Sequence, residues 1–141
     1  LADELNKQNK TIKALLRITP GIECHTHEYI QTGQIDSKFG FDLSQIDLAI
    51  DEILKYEKIE LVGLHAHIGS QIFETKVYED EAKILISEIA RINKKYNLNL
   101  SEINMGGGLG VTYTLEDNPP SVFEIADVIV SAIEKYSVEV K

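Results

Sequence analysis

The first part of the chain changes from helical spacing to an apolar run. Leu1 to about Asn9 has the pattern of a short helix. Ile12 to Thr19 is apolar apart from Arg17 and is followed by Pro20-Gly21, which predicts a strand that ends in a turn. A long loop is expected from Gly21 to about Phe41.

A helix is predicted directly after this loop. Asp42 stands three residues before Gln45, which is the spacing of a capping box at a helix N-terminus. The apolar residues that follow at helical spacing are Ile46, Ala49, Ile50, Ile53 and Leu54.

The same order of elements occurs twice more. Leu61 to Ile68 and Leu100 to Met105 are predicted strands, and Ser121 with Glu124 forms a second capping box after Pro119-Pro120. One helix has its apolar face at Leu85, Ile89, Ile92 and Tyr96, and the last has it at Ile125, Ile129, Ile133 and Tyr136. Val138 to Val140 is expected to begin a fourth strand.

Three strand–helix units in a row predict an α/β fold with a parallel sheet and right-handed crossovers. No Gly/Ser-rich or Pro-rich linker interrupts the 141 residues, so a single domain region is expected. The net charge of −9 and the lack of a basic stripe argue against a nucleic-acid partner.

The remaining composition gives expectations about location. No run of about 18 apolar residues is present, so no membrane partner is expected. The single cysteine, Cys24, is expected to be an ordinary thiol in a reducing compartment, which favours the cytoplasm. The start has no signal-peptide pattern and no initiator Met, and it is expected to be cut rather than native.

The connections that follow the three predicted strands are unusual. Together with the last residues of those strands, they contain all four histidines and most of the glycines, whereas the connections that follow the helices are plain. Ligands of parallel α/β folds bind at the carboxyl ends of the strands. This asymmetry predicts a functional site at that edge of the sheet.

Gly106-Gly107-Gly108 comes directly after the third strand. Residues without Cβ let backbone N–H groups approach an anion. The segment lacks the Lys-Ser/Thr of a P-loop and the third glycine of a dinucleotide fingerprint. A phosphate without a nucleotide and a plain tight turn are about equally consistent with the glycines alone.

Two histidines lie on one face of the second strand. His65 and His67 are two residues apart, and His25 and His27 repeat that spacing in the first connection. No thiolate or carboxylate partner stands at a fixed spacing, so no metal site is expected. The two open alternatives are hydrogen-bonded rim histidines and an imidazole lying flat against an aromatic cofactor.

Three other polar residues of these regions have modest expected roles. Ser70 has no acid–base partner at motif spacing, which makes it a poor nucleophile but a suitable hydroxyl donor to a phosphate. Arg17 is expected to form a structural ion pair, and Lys38 to be a charge at a loop edge.

The motifs occur in an order that resembles a known family. The relevant segments are His25-Thr26-His27-Glu28-Tyr29-Ile30-Gln31-Thr32-Gly33, Asp36-Ser37-Lys38-Phe39-Gly40, Gly63-Leu64-His65-Ala66-His67-Ile68-Gly69-Ser70-Gln71 and Asn104-Met105-Gly106-Gly107-Gly108-Leu109-Gly110. Together they resemble the diaminopimelate decarboxylases, which belong to the alanine-racemase-like, fold type III group of pyridoxal-phosphate enzymes. The resemblance covers nearly the whole chain.

The resemblance implies a fold and a cofactor. The expected fold is part of a parallel (β/α)8 TIM-type barrel, with residues 1–141 as a fragment of the cofactor-binding barrel domain and the C-terminal β domain absent. The expected cofactor is pyridoxal 5'-phosphate. The resemblance places the imidazole of His67 on the pyridine ring and assigns the phosphate to Ser70 and the backbone of Gly106, Gly107 and Gly108.

The resemblance also implies an activity for the full-length enzyme. The expected reaction converts meso-2,6-diaminopimelate, a small amino-acid substrate, to L-lysine and CO2 in a homodimer. The family's Schiff-base lysine lies on an earlier strand and its Glu-Pro-Gly-Arg segment on a later one, so the fragment itself is expected to be inactive. Decarboxylation of arginine or ornithine, and a non-catalytic phosphate- or metabolite-binding half-barrel, are the alternatives.

Overall fold

The computed structural model describes residues 1–22 and 39–139. In this part of the chain, strands and helices alternate as the sequence predicts. The elements are α1 (Ala2–Gln8), β1 (Ile12–Thr19), β2 (Phe41–Asp42), a short 3-10 helix (Leu43–Gln45), α2 (Ile46–Ile53), β3 (Ile59–His65), α3 (Lys76–Tyr96), β4 (Glu102–Asn104) and α4 (Val122–Glu139).

The strands form one parallel sheet in the order β2-β1-β3-β4. Arg17 of β1 is in register with His65 of β3, and His65 is in register with Asn104 of β4. Gly63 lets β4 approach β3 closely, because a Cβ at this position would lie 1.8 Å from the backbone oxygen of Glu102. The predicted parallel α/β class is therefore confirmed.

The core lies between the sheet and the helices. Side chains of a strand alternate between its two faces, so residues two apart share a face. Alternate residues of β1 and β3 pack against α2 and α3 in one cluster. This cluster includes Leu16, Ile18, Ile46, Ile50, Leu64, Ala66, Leu85 and Ile92. Arg17 and His65 therefore lie on the face of the sheet opposite the helices.

Helix α4 packs against α3 through small and aromatic side chains. Ala82 and Ile86 of α3 meet Ala132 and Tyr136 of α4 in a second cluster. Glu79 of α3 adds polar contacts, since it accepts hydrogen bonds from Lys135 Nζ at 3.2 Å and from the Tyr136 hydroxyl at 3.0 Å. Among residues 1–22 and 39–139, no helix is both long and apolar enough to cross a membrane.

Both predicted capping boxes are present. Asp42 accepts from the Ser44 backbone, and Gln45 accepts from the Asp42 backbone at 3.2 Å, at the start of the 3-10 helix rather than of α2 itself. At α4 the Ser121 backbone donates to Glu124 at 2.7 Å, and the Glu124 backbone donates to the Ser121 hydroxyl at 3.2 Å.

The ends of β3 and β4 differ from the predicted ones, and at β4 side-chain hydrogen bonds are the cause. Leu100 is not in β4, because the amide side chain of Asn93 bonds its N–H and its C=O at 2.7 and 3.0 Å. Met105 is also outside β4, since the chain turns after Asn104 into the glycines. β3 begins at Ile59 and ends at His65 instead of running from Leu61 to Ile68.

Three further predictions need correction. Val138 does not begin a fourth strand, because α4 continues to Glu139 with no glycine or proline to stop it. Leu54 is 49% exposed rather than part of the buried face of α2. Phe41–Asp42 is a short strand beside Ile18 and Thr19, where only loop was expected.

Candidate functional site

Two loops meet at the carboxyl edge of the sheet. We call residues 66–72, which follow β3, the histidine loop, and residues 105–111, which follow β4, the glycine loop. Ile72 N–H donates to Gly108 C=O at 2.9 Å, and Gly110 N–H donates to Ile72 C=O at 3.0 Å. Ala66 N–H donates to Asn104 C=O at 3.0 Å at the base of both loops. The loops are therefore joined along their length by backbone hydrogen bonds.

A side chain completes this junction. The amide of Gln71 donates to Val111 C=O at 3.0 Å and accepts from Val111 N–H at 2.9 Å. Gln71 adopts a left-handed backbone conformation, with φ of 56°, while it makes these contacts. It closes the outer end of the two loops in the way that a further strand residue would.

The three consecutive glycines have different surroundings. Gly106 and Gly108 have φ of 70° and 89°. A Cβ on Gly108 would lie 1.8 Å from the Gly69 backbone oxygen, and one on Gly106 would lie 2.5 Å from that of Ala66. A Cβ on Gly107 would meet nothing within 4 Å. Gly106 and Gly108 thus serve the tight packing of the two loops, and Gly107 borders open space.

The glycine loop contacts His67 directly. Gly107 N–H donates to His67 Nδ1 at 3.2 Å. A neutral imidazole has one acceptor nitrogen and one N–H, so this hydrogen bond assigns the proton to Nε2. Gly106 N–H is also engaged, because it donates to Asn104 Oδ1 at 2.9 Å.

Two donors at this edge are available to a ligand. Within residues 1–22 and 39–139, neither the Gly108 N–H nor the exposed Ser70 hydroxyl has a hydrogen-bond partner. Ser70 belongs to the histidine loop and Gly108 to the glycine loop, and these two loops are joined by backbone hydrogen bonds. An anion that approaches this edge would find fewer backbone donors than the three glycines alone suggest, since two of their N–H groups bind protein atoms.

His65 is the last residue of β3 and lies two residues before His67, further from the carboxyl edge of the sheet. Partial burial lowers the pKa of its imidazole, and the positive charge of Arg17 and the influence of His67 lower it further. Its neighbours in register are Arg17 and Asn104. The lowered pKa favours a neutral imidazole at His65, which lies two residues before His67 on the same face of the sheet.

Arg17 has a different partner from the one predicted. Its guanidinium carbon lies 5.3 Å from the centre of the Phe39 ring, and in the described part of the chain it forms no ion pair. The Thr19 hydroxyl donates to Phe39 C=O at 2.7 Å. These contacts bring the end of the first long connection back to the carboxyl end of β1.

Other predicted site residues cannot be placed. Cys24, His25, His27 and Lys38 lie outside the described residues. Among the described residues, no group of three or more His, Cys, Asp and Glu side chains could hold a metal ion. The absence of a metal site therefore stays a prediction.

Sequence reasoning missed two residues of this edge, Asn104 and Gln71. Asn104 carried a usable signal, because an Asn two residues before a glycine is typical of a turn closed by its own side chain. Gln71 carried none, since its role depends on the distance between two loops that are 40 residues apart in the chain.

A parallel sheet covered by helices, with polar loops gathered at its carboxyl edge, defines part of a TIM-type α/β barrel. Residues 2–141 match the family model described as "Pyridoxal-dependent decarboxylase, pyridoxal binding domain". The chain belongs to this family of pyridoxal-dependent decarboxylases, and the resemblance noted from its motifs is confirmed.

Two similar curated proteins are diaminopimelate decarboxylases. The diaminopimelate decarboxylase of Synechocystis sp. is 48% identical over 124 residues, which cover 88% of this chain and 26% of that protein. The diaminopimelate decarboxylase of Bacillus subtilis is 42% identical over 137 residues, 96% of this chain and 31% of that protein. The chain thus spans about a third or less of the length of these relatives.

Two solved structures of diaminopimelate decarboxylases are similar to this chain over most of its length. The diaminopimelate decarboxylase of M. jannaschii in complex with L-lysine has a TM-score of 0.79 and 29% identity, and the match covers 97% of this chain and 32% of that one. The enzyme of Helicobacter pylori complexed with L-lysine has a TM-score of 0.77 and 26% identity, over 94% of this chain and 33% of that one.

The residues present fit a phosphorylated aromatic cofactor. The open side of Gly107, the Gly108 N–H and the Ser70 hydroxyl offer space and donors for a phosphate. The flat ring of His67 belongs to the same pair of loops and accepts a hydrogen bond from Gly107 N–H. Within residues 1–22 and 39–139, no group of three or more His, Cys, Asp and Glu side chains accompanies these donors.

Proposed function

We propose that the protein to which this chain belongs decarboxylates meso-2,6-diaminopimelate to L-lysine and CO2, with pyridoxal 5'-phosphate as its cofactor. The observation that carries the proposal is the junction of the two loops. At the carboxyl edge of the sheet, it joins the loop that carries the His67 imidazole and the Ser70 hydroxyl to the loop that carries the unobstructed Gly107. The names of the curated relatives favour this substrate.

In this proposal each residue has one task. His67 lies against the pyridine ring of the cofactor, and stacking contributes about 0.5–1.5 kcal/mol beyond the buried area. Ser70 and the Gly106–Gly108 loop hold the phosphate, with the Gly108 N–H and the open side of Gly107 nearest to it. When bound, the cofactor supplies an electron sink for the charge that develops as CO2 leaves.

The catalytic residues of this reaction are proposed to lie on other segments of the whole protein. Residues 1–141 are then a fragment of the cofactor-binding barrel domain, and the substrate-specific groups are elsewhere. Arginine or ornithine remains an alternative substrate, and a non-catalytic metabolite-binding half-barrel remains an alternative function. We further propose a cytoplasmic homodimer, which sedimentation of the whole protein would test.

The test uses the whole protein with and without added pyridoxal phosphate. We expect CO2 release from diaminopimelate to exceed that from ornithine and arginine, together with the absorbance of a bound cofactor. A protein that binds the cofactor but prefers ornithine or arginine would contradict the substrate. A protein that binds no cofactor would contradict the function altogether.

Variants of the two histidines test the site. We expect His67→Ala to weaken cofactor binding and to lower turnover, because a stacked ring also fixes the tilt of the cofactor. His67→Phe should recover more affinity than His67→Ala, since it keeps a flat face. His65→Ala is the matched control and should be milder. Stoichiometric zinc that disappears in His67→Ala would contradict the stacking assignment, as would normal binding and turnover in that variant.

A further inference from the structure

Asn104 is bonded to both loops of the site. Its backbone C=O accepts from Ala66 N–H at 3.0 Å, which fixes the base of the histidine loop. Its side-chain Oδ1 accepts from Gly106 N–H at 2.9 Å, which closes the first turn of the glycine loop. Asn104 is also in register with His65, and His65 lies two residues before His67 in the chain. One residue therefore sets the position of both loops.

The next hydrogen bond in this series ends on the imidazole. Closing the turn at Gly106, where φ is 70°, directs the following N–H, that of Gly107, to His67 Nδ1. Gly106 must lack a side chain for this contact, since a Cβ there would lie 2.9 Å from the same Nδ1 atom. The path from the Asn104 side chain to His67 thus passes through two consecutive glycine N–H groups.

The last bond selects one chemical form of the imidazole. A protonated imidazole carries N–H on both ring nitrogens and cannot accept at Nδ1. A neutral ring with its proton on Nδ1 cannot accept there either. Only the neutral ring with its proton on Nε2 accepts from Gly107 N–H, and the direction of that N–H also fixes the rotation of the ring.

We infer that Asn104 is a positioning residue: through the turn that it closes, it holds the His67 imidazole in one orientation and in the neutral form protonated at Nε2. This inference rests on the proposed function, because the oriented ring is the one assigned to the cofactor. Asn104 itself does not touch the reacting atoms in this role. It fixes the orientation of the His67 ring before the cofactor binds.

The experiment uses the whole protein with its histidines labelled with 15N, and the His67 signal is assigned from its loss in His67→Gln. Nitrogen shifts report which ring nitrogen carries the proton, in protein with and without pyridoxal phosphate. The parent should show the Nε2-protonated form in both. Asn104→Ala should show a mixture of the two neutral forms and bind pyridoxal phosphate about 2- to 10-fold more weakly, the factor that one hydrogen bond carries.

Two further variants separate positioning from general damage. Asn104→Asp keeps an acceptor oxygen and should restore the parent's ring form. Asn93→Ala is the matched control, because Asn93 also bonds backbone through both side-chain atoms, at Leu100, but away from the site. It should lower the unfolding temperature and leave the His67 form and the cofactor affinity at the parent's values.

Several results would overturn the inference. They are an unchanged ring form in a folded Asn104→Ala, the same mixture in Asn104→Asp as in Asn104→Ala, or an equal mixture in Asn93→Ala. If Asn104→Ala does not fold, Asn104→Gln replaces it: its longer side chain moves the acceptor oxygen away from Gly106 N–H, so it should show the mixture, and an unchanged ring form there would overturn the inference. A parent that binds no pyridoxal phosphate refutes the proposed function but leaves the ring measurement in cofactor-free protein valid.

Discussion

A methyl group added at Gly106, Gly107 or Gly108 would meet different surroundings at each position. Only Gly107 faces open space, and it has no left-handed φ that would strain a side chain. The sequence could predict that this triple glycine matters, but it could not separate its members. That separation depends on the Gly69 and Ala66 oxygens, which come from a loop about 40 residues away.

Substitution of single glycines should therefore separate folding from binding. Gly108→Ala places a methyl group against the Gly69 oxygen and strains a φ of 89°, so we expect misfolding or a large fall in thermal stability. Gly107→Ala should fold normally and still weaken the binding of pyridoxal phosphate. Unfolding temperature and cofactor affinity of the whole protein test this. Equal stability loss in both variants, or unchanged affinity in Gly107→Ala, would show that the triple glycine is only a turn.

Glu81 is an unusual residue of α3. Its side chain is fully buried, and neither carboxylate oxygen has a hydrogen-bond partner among the described residues. Burial raises the pKa of this carboxyl from 4.5 to about 8. The folded state then keeps a proton that the unfolded state releases, so the contribution of Glu81 to stability is most favourable below about pH 4.5 and declines as the pH rises to about 8.

We expect Glu81→Leu to unfold at nearly the same temperature at pH 5.5 and at pH 8, whereas the parent loses stability between them. The difference should be on the order of a few kcal/mol at pH 8. The carboxyls of Asp47 and Glu79, with pKa lowered to about 2 by hydrogen bonds to cationic side chains, act only at lower pH. A parent whose stability rises or stays constant from pH 5.5 to pH 8 would show that Glu81 is ionised or paired.

Helices were predicted better than strands, for a local reason. A capping box and an apolar face lie within one stretch of sequence, so Ser121, Glu124 and the spacing of α4 could be recognised directly. The ends of β4 depend on the Asn93 and Asn104 side chains, which replace sheet hydrogen bonds. The contact of His67 with Gly107 depends on the register of β3 with β4, which no local pattern contains.

The capping box of α4 gives a prediction for a whole element. Ser121→Ala removes the hydroxyl that accepts from Glu124 N–H, and we expect it to cost about 1 kcal/mol of unfolding free energy. Ser131→Ala is the matched control, because it changes an exposed serine inside the same helix, where alanine is the better helix former. Denaturant unfolding of the whole protein measures both. An equal effect of the two changes would mean that the cap contributes nothing.

At the scale of the whole molecule, the described strands form an open sheet. Four parallel strands cover only part of an eight-stranded barrel, and β4 has no strand on its outer side within the described residues. Apolar side chains of α4 that are exposed here include Val122, Phe123 and Val130. A sheet edge with free N–H and C=O groups pairs readily with other chains.

Residues 1–141 expressed alone should therefore release no CO2 from diaminopimelate and should self-associate or precipitate. The physical reason is the same for both results: the barrel that would surround the cofactor is open, and its edge and apolar helix face are exposed to other copies. Light scattering after size exclusion measures the association, and the whole protein assayed in parallel controls for the substrate and the cofactor. Turnover by a monodisperse 141-residue monomer would contradict the prediction, because it would mean that the two joined loops bind and use the cofactor without the rest of the barrel.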